Sequence, residues 1–256
     1  MAQQTNPARV SWARWRNFFE LRKDRALPRL DPRVDYAMLP RSVARSLAVF
    51  QLGESGGGTI VEQARSSALD TIDKDYVDAL DMFVREEHRH ANILAMCVRL
   101  MHGELISKNW TARLFVFGRR LVGLRLKVLV LLAAEVVGIC YYSALAERLP
   151  PGPMRKWLRE LVDDERSHLH FHCDFLRTQT QSGWRRRLFV VTWRGVMWAA
   201  AITVVIDHRQ MLGDLRIERR DIWDRWMAIG RQAECLVTGP SPSVSPVLRQ
   251  SSASLS

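Results

Sequence analysis

Apolar residues recur along most of this chain at the spacing of an α-helix, and no stretch alternates steadily between apolar and polar residues as a strand does. Glycine and proline are scarce between residues 60 and 235 and gather where a helix would end. The pattern predicts an all-α protein. Four long helices, A to D, are predicted over about 41–68, 72–102, 119–148 and 152–179. Further helices are predicted near 9–26, 109–117, 184–211 and 217–237.

The segments between the four long helices indicate how these helices are ordered in space. Helices A and B are joined by a short segment in which Asp70 or Thr71 is the expected cap, and C and D by the tight turn at 150–153. Short connections imply antiparallel neighbours, whereas roughly 16 residues between B and C are enough to run the length of a bundle. We therefore predict a four-helix bundle with a long B–C crossover.

The bundle accounts for residues 41–179, and the remaining chain is added at its two ends. Residues 1–40 form a basic extension with a short helix, and residues 180–237 form accessory helices. The last segment, 238–256, is rich in serine and proline, which predicts a disordered tail.

Each of the four long helices carries a glutamate in the middle of its apolar stripe, namely Glu54, Glu87, Glu135 and Glu165. A carboxylate in a core is costly unless it is neutralised or coordinated. One such glutamate would be an exception, but one in every helix requires a common cause.

The spacing of two histidines supplies that cause. Glu87 and His90 form a Glu-x-x-His pattern, and so do Glu165 and His168. Residues three apart project from the same helix face, so an oxygen and a nitrogen can reach one metal ion. Two hairpins that each offer a glutamate and a Glu-x-x-His provide the ligand set of a di-iron or di-manganese carboxylate site. Four glutamates would balance two divalent ions.

Two runs carry a resemblance to a known superfamily. Residues 86–91, Glu-Glu-His-Arg-His-Ala, resemble the E-E-x-R-H-A motif of rubrerythrin-type ferritin-like proteins, and residues 164–168, Asp-Glu-Arg-Ser-His, resemble its D-E-x-x-H motif. Glu135 followed by Tyr142 is similar to the E-x6-Y spacing of the third helix. The resemblance covers about 41–179, and it is nearest to the broad group of uncharacterised bacterial ferritin-like domain proteins.

The resemblance implies roles for these residues. Glu87 and Glu165 would bridge two metals, Glu54 and Glu135 would be terminal ligands, and His90 and His168 would bind one metal each. It also implies that Glu86 and Asp164 each orient a ligand histidine.

The chain departs from the rubrerythrin pattern in two respects. It has no CxxC pair, so electrons would come from an external donor. Helix A also contains Gly53 and the run 56–58 around its glutamate. Consecutive glycines favour a close helix approach, a π-bulge or a substrate channel beside the metals.

Several residues have an alternative interpretation. Tyr142 is a redox-active or hydrogen-bonding residue beside the site, or an ordinary core tyrosine. His172, one turn beyond His168, is an additional or supporting ligand, or a core histidine. The glutamates as a group could instead pair with arginines in a metal-free bundle, and Arg89 and Arg166 are the obvious candidates.

The net charge of +11 is distributed unevenly. Counting Lys and Arg against Asp and Glu gives +6 for residues 1–48, −1 for 49–176 and +6 for 177–231. A neutral middle between two basic flanks argues against a nucleic-acid partner. The basic flanks could instead meet a membrane, an acidic donor protein or solvent.

Two segments raise the question of membrane contact. Residues 188–206 are almost entirely apolar, but they contain Arg194, which is costly inside a bilayer. The helix near 9–26 combines Trp12, Trp15, Phe18 and Phe19 with arginines, as an interfacial helix does, although docking on its own bundle is the commoner arrangement. We expect a cytoplasmic protein, since no signal peptide precedes the helices, with peripheral contact to the inner membrane left open. A homodimer is also left open.

Three functions fit this sequence. The first is a di-iron oxidase or oxygenase that activates O2 or peroxide against a small organic substrate. The second is a ferroxidase or a rubrerythrin-like protein for peroxide or iron handling. The third is a metal-free scaffold or membrane-surface adaptor. Iron and manganese both accept mixed oxygen and nitrogen ligands, so either fits the pattern.

Overall fold

Helices are the only regular elements in the part of the chain that the structure, a computed structural model, describes: residues 10–29, 36, 38–56, 59–110 and 123–239. The prediction of an all-α protein is confirmed for these residues. The helices are α1 (Trp12–Glu20), α2 (Arg41–Glu54), α3 (Thr59–Arg65), α4 (Lys74–Leu100), α5 (Leu124–Arg148), α6 (Pro153–Gln179), α7 (Gly183–Asp207), α8 (Arg209–Asp214) and α9 (Arg219–Thr238).

Local signals determine where α4 and α6 begin. The side chain of Asp73 accepts a hydrogen bond from the backbone N–H of Tyr76 at 2.9 Å, so Asp73 caps α4, and the expected cap at Asp70 or Thr71 was wrong. Pro153 occupies the first position of α6, where its missing N–H costs nothing. The preceding Gly152 approaches Tyr36 so closely that a Cβ there would collide with the phenol oxygen.

Helix A of the sequence prediction is two helices in the structure. It was expected to be continuous over 41–68, but α2 ends at Glu54 and α3 starts at Thr59. Glycines are poor helix formers because they lose the most backbone entropy, and Gly53 and Gly56 flank the end of α2. Glu54 is therefore the last residue of its helix.

One end of the molecule is defined by contacts of Tyr36. Its backbone N–H donates to the carbonyl of Leu100 at 3.1 Å, which places the start of α2 beside the end of α4. Its phenol oxygen accepts from the N–H of Met154 at 3.4 Å, which brings the start of α6 to the same end. The two helices α2 and α4 therefore run antiparallel, and α5 ends where α4 ends.

The opposite end is defined by Gln179, the last residue of α6. Its amide nitrogen donates to Thr71 Oγ1 at 2.6 Å, and its amide oxygen accepts from Arg125 Nε at 2.9 Å. Thr71 precedes α4 and Arg125 lies in the first turn of α5. The connection from α4 to α5 thus leads from one end of the molecule to the other. The predicted short helix near 109–117 lies mostly outside the described residues.

The aromatic face of α1 docks on the rest of the protein. Trp12 packs edge-on against Tyr76 of α4 with ring centroids 4.8 Å apart, and Trp15 packs against Phe171 of α6 at 5.4 Å. The Trp15 indole N–H donates to Asp174 at 2.9 Å. All four aromatic residues of α1 are buried, so its apolar face is used within the molecule, as in the docking alternative.

Within the described part of the chain, two helices are long and apolar enough to cross a membrane, α5 and α7. Because 89% of the apolar window of α5 is buried, α5 is a core helix, whereas only 33% of that of α7 is buried. The helix predicted over 184–211 is interrupted at His208, where α7 gives way to α8. The α7 ridge, as we name the large exposed apolar side chains of α7, consists of Trp184, Leu188, Val191, Trp198, Ile202 and Ile206.

The last helix of the described residues, α9, packs on α5, α6 and α7. It extends to Thr238, close to the predicted end at 237. Residues 240–256, which make up most of the predicted disordered tail, lie outside the described residues.

Candidate metal centre

Two glutamates and two histidines of the Glu-x-x-His patterns come together between α4 and α6. One ligand atom from each of Glu87, His90, Glu165 and His168 lies within 4.8 Å of the others, and all four residues are buried. His90 Nδ1 lies 3.2 Å from Glu165 Oε1, and His168 Nδ1 lies 3.0 Å from Glu87 Oε1. Each histidine thus faces the glutamate of the opposite helix.

The facing atoms of this cluster lack hydrogen bonds. Among the described residues, Nδ1 of His90 and His168 and Oε1 of Glu87 and Glu165 are buried without a hydrogen-bond partner, although they lie close to one another. Native proteins rarely leave buried polar atoms unpaired. Four such atoms converging on one point are what a cation with oxygen and nitrogen ligands would satisfy.

The outer nitrogens of both histidines are held by carboxylates from the opposite helix. His90 Nε2 donates to Asp164 Oδ2 at 3.1 Å, and His168 Nε2 donates to Glu86 Oε2 at 3.0 Å. Each contact fixes the orientation of its imidazole ring and leaves Nδ1 directed at the cluster, as metal-binding histidines require. The resemblance implied this role for Glu86 and Asp164 but not that each would hold the histidine of the opposite helix.

Two arginines that sequence reasoning missed neutralise these carboxylates. Arg25 Nη2 lies 2.6 Å from both Glu86 Oε1 and Asp164 Oδ2, and Arg22 Nε lies 3.0 Å from Glu86 Oε1. Arg22 also contacts Asp164. Both arginines belong to the segment after α1, more than 60 residues from their partners, and no local pattern marks them.

Glu135 and His172 border the cluster on the side of α5. Glu135 Oε2 lies 3.8 Å from His168 Nδ1, and its other oxygen lies 3.2 Å from His172 Nε2. Burial and the neighbouring His168 lower the pKa of His172 to about 3, so its imidazole is neutral near pH 7. Neither nitrogen of His172 has a hydrogen-bond partner among the described residues.

Glu54 reaches the same region from the end of α2. The phenol of Tyr142, fully buried on α5, donates to Glu54 Oε1 at 2.7 Å. Burial raises the pKa of Tyr142 well above its ordinary value, and the negative charge of Glu54 adds to the rise. Tyr142 is therefore a protonated donor that holds one oxygen of Glu54. Gly138, one turn before Tyr142, packs closely on that ring, whose Cε2 would lie 3.3 Å from a Cβ.

Without a cation, the surrounding carboxylates hold protons more readily than free carboxylates do. Burial raises the pKa of Glu54 and of Glu135 well above the ordinary value, and repulsion from Glu87 and Glu165 adds to both. Burial alone would lower the pKa of His90, but its contacts with Asp164 and Glu165 outweigh burial and raise that pKa to about 9. Metal binding would displace these protons.

The arginines expected to neutralise the glutamates in a metal-free bundle lie elsewhere. Arg166 pairs with Asp163 at 3.3 Å on the surface, and Arg89 pairs with Glu160 at 2.6 Å. Arg89 also lies 3.8 Å from Asp164. Among the described residues, no arginine is recorded in an ion pair with the glutamates of the cluster.

One cavity reaches this cluster, and a second cavity adjoins the first. The inner cavity, of about 100 Å³, lies between α2, α5 and α7 and touches Glu54, Glu87, Glu135 and Glu165. The rest of its wall is apolar apart from His208, and it includes Val49, Phe50, Gly53, Val130, Leu131, Ala134, Val137 and Val204. The outer cavity, of about 300 Å³, has a wall that is more polar, with Ser42, Arg45, Ser46, Asp207, Arg209 and Gln210 beside Trp110, Ile206 and Met211. Val49 and His208 line both cavities.

No protein-family model, no curated protein and no solved structure matches this chain. The function of the cluster is therefore inferred from its own geometry and chemistry.

Proposed function

We propose that this protein is a ferritin-like four-helix bundle, with α2 and α3 together as its first helix, that holds two iron ions and oxidises an organic substrate with O2 or peroxide. The observation that carries the proposal is the set of unpaired, buried Nδ1 and Oε1 atoms of Glu87, His90, Glu165 and His168. Glu54 and Glu135 would complete the ligands. Manganese would fit the same donor atoms.

Bound iron would supply the electron-transfer and oxygen chemistry that amino-acid side chains lack. The residues of this chain orient and insulate the site. Glu86 and Asp164 hold the histidine rings, and Arg22 and Arg25 balance the charge of these two carboxylates, so the ligand set stays fixed.

Tyr142 holds a proton at the edge of the site. Its hydroxyl group donates to Glu54, the carboxylate that also lines the inner cavity. As the last residue of α2, Glu54 is bounded on one side by non-helical backbone, and this gives its side chain more freedom than a mid-helix ligand has. The Tyr142 hydroxyl thus sits where it can stay hydrogen-bonded to Glu54 as that side chain moves.

The inner cavity favours an organic substrate over iron ions as the molecule that is oxidised. A path for Fe²⁺ would be lined with polar or acidic groups, whereas the wall beyond the four glutamates is mostly aliphatic and aromatic. Since the chain has no CxxC pair, we propose that a separate protein or small molecule donates electrons.

Metal analysis after anaerobic loading with Fe²⁺ tests the proposal. We expect about two irons per chain, as the di-metal carboxylate ligand set requires, and loss of at least one in Glu165→Gln. Asp163→Asn is the matched control, because it removes the exposed carboxylate next in the chain to the Asp164–Glu165 pair. Equal iron content in the wild type and Glu165→Gln would contradict the proposal. Uptake far beyond two irons would instead assign iron storage.

A further inference from the structure

The inner and outer cavities differ in chemistry although they adjoin each other. Both are bounded by Val49 and His208, so these two side chains separate a polar space from an apolar one. The inner cavity ends at the carboxylates of the candidate metal centre. A molecule that fills both would therefore have a polar end outside and an apolar end beside the metals.

The inner cavity has the size and wall of a binding site for a short apolar chain. An apolar cavity of about 150 Å³ binds benzene, so about 100 Å³ accepts a group of a few carbons. Gly53 contributes to this wall, and a Cβ built on it meets no atom within 4 Å. The glycine therefore leaves space that a larger residue would fill.

The outer cavity carries positive charge. Arg45 on α2 and Arg209 on α8 line it, both are exposed, and neither is recorded in an ion pair with another described residue. Asp207 also lines the cavity, but its carboxylate accepts a hydrogen bond from Asn109 at 3.3 Å. Two guanidinium groups at one opening are suited to a carboxylate or phosphate.

We propose that the two cavities bind one anionic amphiphile, with its charged group at Arg45 and Arg209 and the end of its alkyl chain in the inner cavity. This assigns the substrate class of the proposed oxidation and, in that respect, rests on the proposed function. Binding itself requires only the cavities. A chain that enters past Val49 and His208 would end beside Glu54 and Glu135, where oxidation would take place.

Calorimetric titration of the metal-free protein with octanoate tests this inference, with octanol and acetate as comparison ligands. We expect octanoate to bind about tenfold more tightly than either. Gly53→Leu should weaken octanoate binding about tenfold or more, whereas Gly195→Leu, at another helical glycine with open space at its Cβ, should not.

Replacement of the two arginines tests the charged end without touching the core. The double variant Arg45→Ala, Arg209→Ala should lose the preference for octanoate over octanol, while the exposed pair Arg219→Ala, Arg220→Ala should keep it. Equal affinity of the wild type for octanoate and octanol would overturn the inference. Octyl phosphate in place of octanoate shows which anionic group is preferred.

Iron content separates this inference from the proposed function. A wild-type protein that holds two irons but does not bind octanoate would overturn only the ligand assignment. A protein that binds octanoate but no iron would overturn only the proposed oxidation.

The α7 ridge carries a second, independent inference. Its residues recur at spacings of three, four or seven on one face of α7, and 22 residues of helix separate Trp184 from Ile206, about 33 Å. The buried residues on the opposite face of α7 include Phe189, Trp193, Met197 and Ala201. At the edge of the ridge, Arg194 forms an ion pair with Glu234 of α9 at 2.8 Å. This pair links α7 to α9.

Three consecutive exposed arginines, 185–187, lie in the first turns of α7 beside the ridge. Apolar side chains with two tryptophans and adjacent basic residues are the chemistry of a helix lying in the surface of an anionic bilayer. We infer that the α7 ridge docks flat on such a surface, with its buried face remaining on α5 and α9.

Co-sedimentation with vesicles tests this docking. The wild type should bind vesicles of phosphatidylcholine mixed with phosphatidylglycerol, and binding should weaken with salt and with pure phosphatidylcholine. Val191→Glu with Ile202→Glu should weaken binding about tenfold, whereas Met38→Glu with Leu105→Glu, exposed apolar residues elsewhere, should not. Absence of vesicle binding, or a dimer that the ridge variant alone converts to monomers, would overturn the inference.

Discussion

His168 on α6 donates its Nε2 proton to Glu86 on α4, at 3.0 Å, and so receives its orientation from the helix that it faces. The reciprocal contact joins His90 on α4 to Asp164 on α6 at 3.1 Å. Each Glu-x-x-His helix thus depends on the other for the geometry of its own histidine. The geometry of the candidate metal centre therefore depends on the distance between α4 and α6.

Glu86→Gln is expected to weaken metal binding about 10- to 100-fold, because His168 loses a charged acceptor and the basicity that it confers. Competition with a chelator of known affinity measures the effect. Asp81→Asn, at a half-exposed carboxylate earlier on α4, should leave the affinity unchanged. Unaltered affinity in Glu86→Gln would show that His168 is not held through this contact.

Arg25→Gln is expected to destabilise the protein by about 2–3 kcal/mol, less than the 3–5 kcal/mol of a fully buried pair because 28% of the arginine side chain remains exposed. The substitution leaves two buried carboxylates, Glu86 and Asp164, with less compensating charge. Urea denaturation gives the free energy of unfolding. Arg85→Gln breaks an exposed pair with Asp81 and should change it by less than about 0.5 kcal/mol.

The metal-free protein is expected to lose stability between pH 7 and pH 9. The pKa of His90 is about 9 in the folded state and 6.5 when unfolded, so its stabilising effect is complete below pH 6.5 and disappears as the pH rises through 9. The raised pKa values of Glu54 and Glu135 act in the same direction. His172 and His208, whose pKa values burial lowers to about 3 and 4, add no slope above pH 7.

Unfolding free energies at several pH values, measured with a chelator present, check this dependence. His90→Gln should flatten the slope, and His88→Gln, at an exposed histidine two residues away, should retain it. A stability that rises from pH 7 to pH 9 in the metal-free wild type would contradict the assignment of protons to the cluster.

Tyr142→Phe is expected to lower metal affinity about tenfold, since Glu54 loses a hydrogen bond to a charged acceptor. Tyr141→Phe is the matched control, because that neighbouring phenol bonds Ser46 at 2.5 Å instead of a candidate ligand. Both variants keep the ring in the core. Equal affinities for the two would mean that Tyr142 does not position Glu54.

Much of this fold follows from periodicity and local signals in the sequence. The bounds of α4, α5 and α6 lie within a few residues of the predicted ones, apart from the start of α5. Long amphipathic or apolar runs with proline and glycine at their ends determine where such helices begin and end. The end of α2 at Glu54 was missed because a continuous apolar stripe masked the effect of the glycines on the backbone.

The site was predictable as a set of residues, and its supporting contacts were not. Spacing identified Glu87, His90, Glu165 and His168, since residues three apart share a helix face. The roles of Arg22 and Arg25 depend on how α1 docks, which no local pattern encodes. Likewise, the cavities arise where α7 crosses α2 and α5, a packing that the apolar composition of α7 leaves undetermined.

The contacts of Arg25 have a consequence for the order in which the protein assembles. Arg25 bridges Glu86 on α4 and Asp164 on α6, although it is made first and both partners follow later in the chain. The bridge can close only after α4 and α6 have come together. Docking of the N-terminal segment therefore follows the pairing of these two helices, and its arginine joins carboxylates from both that would otherwise repel each other.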